Sequence, residues 1–436
     1  MARDWQSMNE YRLFCRGRLA DPYPLYHRLR SEDPVHWSER ADSWILTCYD
    51  DVRFALQHDP RLTAERLSLL LAQLPREVQA EVEPLRRLLS TWMQYYDPPD
   101  HTRLRSLVNR AFTPATIERL RPRIEAVAEE LLQPVRAKGR MEVISEFAYP
   151  LPAIVIAELL GVPPDDRDRF KRWADDLTVF MEGVGADYPA IARRTNRSVL
   201  ELTDYLGGLF EQRRRRPRAD LISDLIAVEA EGDRLSQAEL FGICSFLLEA
   251  GHETTTGLIG NGLLALLRHP DQSSKLQRNP SMIGPAVEEC LRYDGPIQRI
   301  SRVVTADFEL RGKTLRRRQR IWAMQGAANR DPEQFPEPDR FDIFRRNNRN
   351  NRHLAFGYGV HHCLGAPLAR IEGQIAFLAL LRLPELQLEN PAPEWEEGVS
   401  LRTPKALPVG FRRSCRDGLE SGSKGSRDVG KFSSAR

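Results

Sequence analysis

The sequence predicts a single, mainly α-helical domain that carries small β-sheets. Three observations predict it. Apolar residues recur at helical spacing through most of residues 99–270, a long apolar segment follows a helix-start signal at Ser236, and β-type runs are few and short. The chain has 436 residues, 41% hydrophobic and 29% charged, which is enough apolar material for a large core. No internal repeat divides it.

The elements follow in order. Residues 1–14 form a polar N-terminal segment. Pro24 to Arg30 reads as a helix, and Val35 to Trp37 with Trp44 to Thr47 as a strand pair around Ala41-Asp42-Ser43. Asp50 reads as the cap of a short helix through Leu56. Ile117, Leu120, Ile124, Val127 and Leu131 share one helical face and predict one amphipathic helix. Leu151 to Leu160 reads as a short apolar helix ended by Gly161. Arg193 to Arg214 reads as another, closed by basic residues that suit a helix C-terminus. Ser236 and Glu239 form an S-x-x-E capping box, and one helix is expected from there to about Arg268, before Pro270. Such a helix, roughly 30 residues at 1.5 Å each, would be about 45 Å long and could cross a whole domain. Val303 to Leu310 and Leu407 to Phe411 read as strands. Asp331 to Arg352 reads as an irregular surface segment, and residues 414–436 as a disordered tail.

Charge and composition exclude some partners. The net charge is +3, small for this length. The arginine clusters Arg213 to Arg216, Arg316 to Arg318 and Arg345 to Arg352 have no interleaved aromatics, so they read as solvated faces and no nucleic acid is expected. The start lacks the apolar run of a signal peptide. The longest apolar segment, Leu240 to Leu267, is interrupted by Glu249, His252 and Glu253, so neither a membrane span nor a membrane partner is expected and the chain is placed in the cytoplasm. The six cysteines are scattered, with no C-x-x-C pair, which argues against a disulfide framework.

Three segments carry chemistry. In Phe356-Gly357-Tyr358-Gly359-Val360-His361-His362-Cys363-Leu364-Gly365, glycines bracket one cysteine just before a helical stretch, Ala366 to Leu381. A helix N-terminus favours a thiolate there. Zinc held by His361, His362 and Cys363 is disfavoured, because adjacent residues rarely close a tetrahedral site and no second ligand pair is suitably spaced. In Glu249-Ala250-Gly251-His252-Glu253-Thr254-Thr255-Thr256-Gly257, polar residues and glycines interrupt an apolar helix, a local inconsistency typical of functional sites. Glu289 and Arg292 stand at i and i+3 and can pair.

Together and in this order, these segments resemble the cytochrome P-450 family of soluble bacterial type. Phe356, Gly359, His361, Cys363 and Gly365 match its haem-binding signature F-x-x-G-x-H-x-C-x-G. Ala250, Gly251, Glu253 and Thr254 match A-G-x-E/D-T, and Glu289 with Arg292 matches E-x-x-R. Pro338-Asp339-Arg340-Phe341 looks like the later motif whose arginine completes that charge network, and His101 with Arg105 matches H-x-x-x-R. The resemblance covers roughly residues 15–413, and it implies a single-domain cytochrome P-450 fold over that range.

The resemblance also implies roles. Cys363 would be the thiolate ligand of the iron of haem b, with Phe356 packed near the sulfur and Gly359 and Gly365 letting the loop wrap closely. His101, Arg105, Arg302 and His361 would hold the haem propionates, since arginine suits a carboxylate. Ala250 and Gly251 would leave room for dioxygen and substrate. Glu253 and Thr254 would be catalytic, relaying protons, and Thr255 and Thr256 are poorer candidates. The implied activity is that of a monomeric monooxygenase fed by a ferredoxin or flavodoxin and its NAD(P)H reductase. The expected docking face is basic, near Cys363, at Arg110, Arg345 or Arg352. Peroxide-driven chemistry and a haem-based sensor are the alternatives, and the Glu253–Thr254 pair argues against both. Family substrate regions map to residues 86–96, 178–183, 296–300 and 399–401, largely apolar here with Tyr95, Tyr96 and Gln298 as polar anchors. That pattern points to a lipid, terpenoid or polyketide-like compound, with hydroxylation the expected reaction and epoxidation and oxidative coupling also compatible. Glu249 departs from the family's apolar pattern, and either faces away from the haem or meets a polar substrate group.

Overall fold

A computed structural model of the chain describes residues 20–182, 187–230, 233–345, 352–396, 398 and 400–413. The N-terminal segment 1–14 and the tail 414–436 lie outside the described residues, as do positions 346–351 of the arginine-rich run. Helices dominate. The principal ones are α1 (Tyr23–Glu32), α2 (Tyr49–Leu56), α3 (Asp100–Ala111), α4 (Arg121–Arg136), α5 (Pro150–Leu159), α6 (Arg167–Met181), α7 (Tyr188–Arg215), α8 (Gln237–Ala250), α9 (Glu253–Arg268), α10 (Ile283–Asp294) and α11 (Ala366–Leu381).

One five-stranded sheet lies to the side of the helices. Its strands are β1 (Val35–Ser38), β2 (Ser43–Leu46), β3 (Leu62–Thr63), β4 (Ile300–Val304) and β5 (Arg320–Ala323), in the spatial order β1-β2-β5-β4-β3. The hairpin expected around Ala41-Asp42-Ser43 is there, with Val35 opposite Leu46 and Ser38 opposite Ser43. β5 runs parallel to β2 and antiparallel to β4, which sets Ile321 opposite Arg302. A small second sheet joins Arg140–Glu142, Pro408–Gly410 and Gln387–Leu388.

The main core lies among the helices, built on fully buried side chains such as Trp92, Phe147, Trp173, Phe210 and Phe377. A smaller core between the sheet and α2 holds Leu46, Val52, Leu56, Ile321 and Phe335. Helix α9 runs through the centre, packed on α10 and α11, with Thr255–Leu266 buried without interruption. A helix that is apolar on all sides belongs in such a position.

Several boundaries differ from the sequence reading, each for a local reason. The helix expected from Ser236 to Arg268 is two helices, α8 and α9, parted at Gly251 and His252. Around the break, side chains bond to carbonyls one turn back. His252 Nδ1 lies 2.9 Å from the Leu248 carbonyl, the Thr254 hydroxyl donates to Ala250 O at 3.1 Å, and that of Thr256 donates to His252 O at 2.9 Å. Such bonds compete with the main-chain ladder and bend helices. Apolar periodicity continues on both sides of the break and so conceals it. The capping box at the start of α8 is as read: Glu239 N–H donates to Ser236 Oγ at 3.3 Å, and Ser236 N–H to the Glu239 carboxylate at 2.7 Å.

The amphipathic helix read through Ile117 and Leu131 is likewise broken, into Pro114–Glu118 and α4. Pro122 has no N–H and crowds the carbonyl one turn earlier, so the second helix must start afresh. The strand read at Val303 to Leu310 is β4 followed by Phe308–Leu310, separated where Thr305 N–H turns to the Arg61 carbonyl. Cys48, not Asp50, is the N-cap of α2; Asp50 sits in its first turn, where a carboxylate meets the positive end of the helix. Gly161 does end α5. Its φ is +76°, and its N–H and that of Val162 close back on Glu158 and Ala157, a left-handed stop that glycine adopts without strain.

Glu372, on α11, has both carboxyl oxygens buried without a hydrogen-bond partner. Burial pushes its pKa from 4.5 up to about 8, despite the neighbouring Thr255 hydroxyl. The folded state therefore holds a proton that the unfolded chain releases above pH 4.5, so stability falls as pH rises from about 4.5 to about 8. The slope from this one group is at most about 1.4 kcal/mol per pH unit. Glu372→Gln should gain on the native protein as pH climbs through that window. Urea unfolding of both at pH 5.5, 6.5 and 7.5 checks it; parallel curves would contradict the assignment.

Candidate active site

The cysteine loop is built on tight turns. Gly357 and Gly359 take φ of +74° and +73°, and a Cβ at Gly359 would stand 2.8 Å from Gln57 Cα at the end of α2. Gly359 thus lets the loop lie against α2. Gly365 is different. Its φ is −77°, and the nearest atom to a Cβ there is Cys363 Sγ at 3.9 Å, so its backbone asks for no special freedom. Cys363 N–H donates to the Phe356 carbonyl at 2.8 Å, which closes the loop just before α11.

Burial raises the Cys363 thiol pKa above its usual value. The N–H groups of Gly365 and Ala366 and the cations Arg105 and Arg370 pull the other way. The helix-start preference for thiolate is therefore present but outweighed by desolvation. A metal ion is what would deprotonate such a thiol outright.

Behind the loop is a network that the sequence reading missed. Glu288, on α10, is paired with His353 at 3.0 Å and with Arg370 at 2.7 Å, and the Arg370 guanidinium lies 4.5 Å from the centre of the Phe356 ring. It ties the loop, α10 and α11 together. Its only signal in sequence was a second acid beside Glu289.

On the other side of the loop, basic side chains converge. His101 and Arg105 share a face of α3 as their spacing requires. The rings of His101 and His361 stand 4.1 Å apart. Arg302, 5% exposed on β4, bonds only to the Ser301 carbonyl at 3.0 Å, and Arg105 bonds to Asn109 at 3.2 Å. Neither arginine is in an ion pair with a carboxylate among the described residues. Burial, with cations around them, holds His101 down at a pKa of about 4 and His361 at about 2. His101 Nδ1 and His361 Nε2 are buried without partners. The Asp97 carboxylate acts on His101 and Arg302 from a distance without pairing with either. Cations gathered in a low-dielectric place without a bonded anion are costly, and two carboxylates such as haem propionates would satisfy all of them. The donor set fits the group. Arg66 belongs to the same field, as its charge also depresses His361; it lies 4.9 Å over the Tyr95 ring and bonds to Gln94, and no motif marked it.

The helix break carries the acid and the alcohol. Glu253 and Thr254 are half-buried at the first turn of α9, whereas Thr255 and Thr256 are 3% and 2% exposed, turned into the core. A Cβ on Gly251 would meet the Leu247 carbonyl at 2.6 Å and Ile156 at 3.0 Å, so close packing on α5 accounts for that glycine. Glu249 is half-buried at the end of α8. Burial first, then Glu253 and Glu182, push its pKa to about 7, against His252 and Arg66.

Two expectations need correction. Gln298 is 4% exposed and occupied: its Oε1 accepts from Tyr26 at 3.2 Å and its Nε2 donates to the Gly295 carbonyl at 2.8 Å. It holds the fold and is no free anchor. Tyr95 is buried with only the Met181 sulfur at 3.4 Å as partner, and Tyr96 is half-buried. Gly183 and Val399 of the substrate regions lie outside the described residues.

The second correction concerns the charge network of α10. Glu289 and Arg292 are fully buried and doubly bonded at 2.8 Å. The further cation is Arg345, 3.2 Å from Glu289, and not Arg340, whose side chain is 58% exposed and reaches only Glu337 at 3.1 Å. Arg340 contributes its carbonyl, which accepts from Arg292 at 3.2 Å and from Arg345 at 2.7 Å. Arg345 is therefore withdrawn from the docking face, while Arg110 and Arg352 are exposed. A cleft of about 470 Å³ opens on that face, lined by Arg53, Arg352, Phe356, Tyr358, His362 and Arg370 among others. Among the described residues no helix is long and apolar enough to cross a membrane.

Comparison with known proteins agrees with this geometry. The family model described as cytochrome P-450 matches residues 89–408. The polyketide biosynthesis cytochrome P-450 PksS of Bacillus subtilis is 40% identical over 90% of this chain and 96% of its own. The monooxygenase PikC of Streptomyces venezuelae is 40% identical over 92% of this chain and 94% of its own. The solved structure of the cytochrome P-450 BioI with an acyl carrier protein bearing hexadec-9Z-enoic acid superimposes with a TM-score of 0.83 at 37% identity, covering 91% of this chain and 99% of that one. The chain therefore belongs to the cytochrome P-450 family, and is a monooxygenase that takes haem b on a cysteine thiolate, draws electrons from separate redox proteins and oxidises a small organic substrate.

Proposed function

We propose that Cys363 is the thiolate ligand, that His101, Arg105, Arg302 and His361 hold the propionates, and that Glu253 and Thr254 are the catalytic proton-handling pair. Haem b would supply dioxygen activation, which the thiolate promotes by donating electron density. The observation that carries the assignment is the group of buried and half-buried basic side chains with no ion-paired carboxylate, set against the Cys363 loop. The haem domain spans residues 15–413 and works in the cytoplasm, where NAD(P)H reductases supply a ferredoxin or flavodoxin.

The chain's own residues do three things. Thr254 holds its hydroxyl on the Ala250 carbonyl, an oriented group able to pass a proton on. Glu253 stands next to it as the acid that resupplies that hydroxyl. The apolar surroundings of α8 and α9 keep out bulk water, so that protons arrive through these groups. Thr254→Ala should therefore keep consuming NAD(P)H while product per electron pair falls by about tenfold or more. Unchanged coupling would remove the pair from the mechanism and favour a peroxide-driven or sensory role.

The substrate is a largely apolar compound of lipid or polyketide type, and hydroxylation is its expected fate. One relative is named for polyketide biosynthesis, and another is solved with a fatty acyl chain on its carrier. Glu249, with Tyr95 and Arg66 nearby, supplies the polar contact in an apolar chamber. The redox partner docks at the basic cleft beside Phe356 and His362. Arg352→Glu should slow reduction by the partner several-fold and flatten its dependence on salt, read by stopped-flow at two ionic strengths; an unaltered rate would place docking elsewhere.

A further inference from the structure

His252 has no role in the family signature, yet the structure surrounds it with acids. Its ring is 1% exposed and T-stacked on Tyr149, with ring centres 5.3 Å apart. Its Nδ1 sits 2.9 Å from the Leu248 carbonyl, which can only accept, so that nitrogen carries a hydrogen. Nε2 is buried without a hydrogen-bond partner and points at Glu253 Oε1, 3.5 Å away. Asp175, on α6, completes the group: a carboxylate oxygen of Asp175, His252 Nε2 and a carboxylate oxygen of Glu253 all lie within 4.8 Å of one another.

Asp175 in turn leads outward. It accepts from the Tyr149 hydroxyl at 2.8 Å and from Lys171 Nζ at 2.8 Å, and its side chain and that of Lys171 are 38% and 49% exposed. The result is a row of ionisable groups from solvent to the break between α8 and α9, Lys171, Asp175, His252 and Glu253, with the last three within 4.8 Å of one another.

We propose that His252 is a positioning residue that carries protons from Asp175 at the surface of α6 to Glu253. The inference rests on the proton-handling role given to Glu253. With Nδ1–H engaged, a neutral ring would turn a bare nitrogen lone pair toward two carboxylates, whereas a protonated ring turns its one Nε2–H toward them. The acids facing the ring favour the latter: Glu253 and Asp175 directly and Glu249 from the preceding turn, while the cation Lys171 is paired with Asp175 and lies 4.1 Å over the Tyr149 ring. Burial, the largest single influence, lowers the pKa of His252, but Glu253, the Leu248 carbonyl and Asp175 together raise it above the usual value. In transfer, the Nε2–H bond breaks as an O–H bond forms on Glu253. Asp175, as a carboxylate, then takes a proton from a hydronium ion at the surface, releasing water, and passes it to Nε2 of the neutral ring, which returns Asp175 to its ionised form. No oxidant or reductant is needed. A divalent metal at the same atoms is disfavoured, because Lys171 already occupies Asp175.

The test uses the haem-loaded, carbon monoxide-bound ferrous protein, which is diamagnetic, with its histidines labelled with nitrogen-15. His252 is expected to show two ring N–H signals at pH 7, and its titration midpoint should fall in Asp175→Asn. A neutral ring in the native protein would overturn the proposal. His252→Asn keeps a donor for the Leu248 carbonyl and removes Nε2. It should lower product coupling by about tenfold and enlarge the solvent deuterium isotope effect on turnover, whereas a merely structural histidine would leave the isotope effect unmoved and overturn the proposal. Should His252→Asn fail to fold, Asp175→Asn reads the same isotope effect from the far end. Glu253→Gln separates the two ideas. Uncoupling in Glu253→Gln without any in His252→Asn defeats this inference alone; no uncoupling in Glu253→Gln defeats the role of Glu253 and this inference with it.

Discussion

Replacing Glu289 with glutamine will cost the fold at least about 3–5 kcal/mol, the usual penalty for stranding a buried charge. Glu289 is the single acid bonded to Arg292 and Arg345, and all three are under 10% exposed. Its loss leaves two guanidinium groups in the core with main-chain carbonyls as their remaining partners. Those carbonyls, of Asn329 and Pro338 for Arg292, of Pro336 and Glu337 for Arg345 and of Arg340 for both, explain why arginine is used: its five N–H donors are nearly all occupied. Arg345→Ala should also be costly, by a few kcal/mol, because it takes one of its two guanidinium partners from the buried Glu289 carboxylate. Arg340→Ala should cost less than about 1 kcal/mol, since it removes only an exposed pair. Chemical unfolding of the three variants checks the order. Equal losses at Arg340 and Arg345 would restore the motif arginine to the network.

That contrast shows where sequence reading stops. Glu289 and Arg292 are one turn apart on a helix, so local spacing alone predicts their contact. Arg345 reaches them from an irregular segment with no period, inside a run of arginines that looks like a solvated face. Nothing local distinguishes the buried member of that run from its exposed neighbours. The same holds for Arg66, Glu288, His353 and Arg370, whose importance depends on the path of the chain around the Cys363 loop. His101 and Arg105 were legible because i and i+4 on a helix must share a face. The break at Gly251 and His252 was not legible, because hydrophobic periodicity records burial and is blind to side chains that bond back to their own main chain. The fold class and the three chemical segments were visible early, since composition, capping and glycine placement are local properties. Register and the long-range salt links are not.

Cys363→Ala will abolish the strongly red-shifted Soret band of the reduced, carbon monoxide-treated protein, and with it product formation by electrons from a redox partner. The other described cysteines are poor ligands for physical reasons. Cys244 and Cys290 are buried in the helical core, and burial raises both thiols, with Glu289 adding to the effect at Cys290. Cys48 caps α2 with its pKa pushed up to about 11. Cys363 combines the N–H groups of Gly365 and Ala366 at a helix start with the cations Arg105 and Arg370 and a loop held by the Glu288 network. These groups favour a negative sulfur once a metal has taken the proton, and N–H donors to a ligating sulfur tune its donation. The alanine variant should keep its fold, because Gly357, Gly359 and the Cys363 N–H bond to Phe356 shape the loop without the thiol. A folded variant that has lost the band assigns the thiolate to Cys363. A band that survives would give the ligand to another cysteine, and would leave the basic cluster of His101, Arg105, Arg302 and His361 without its explanation.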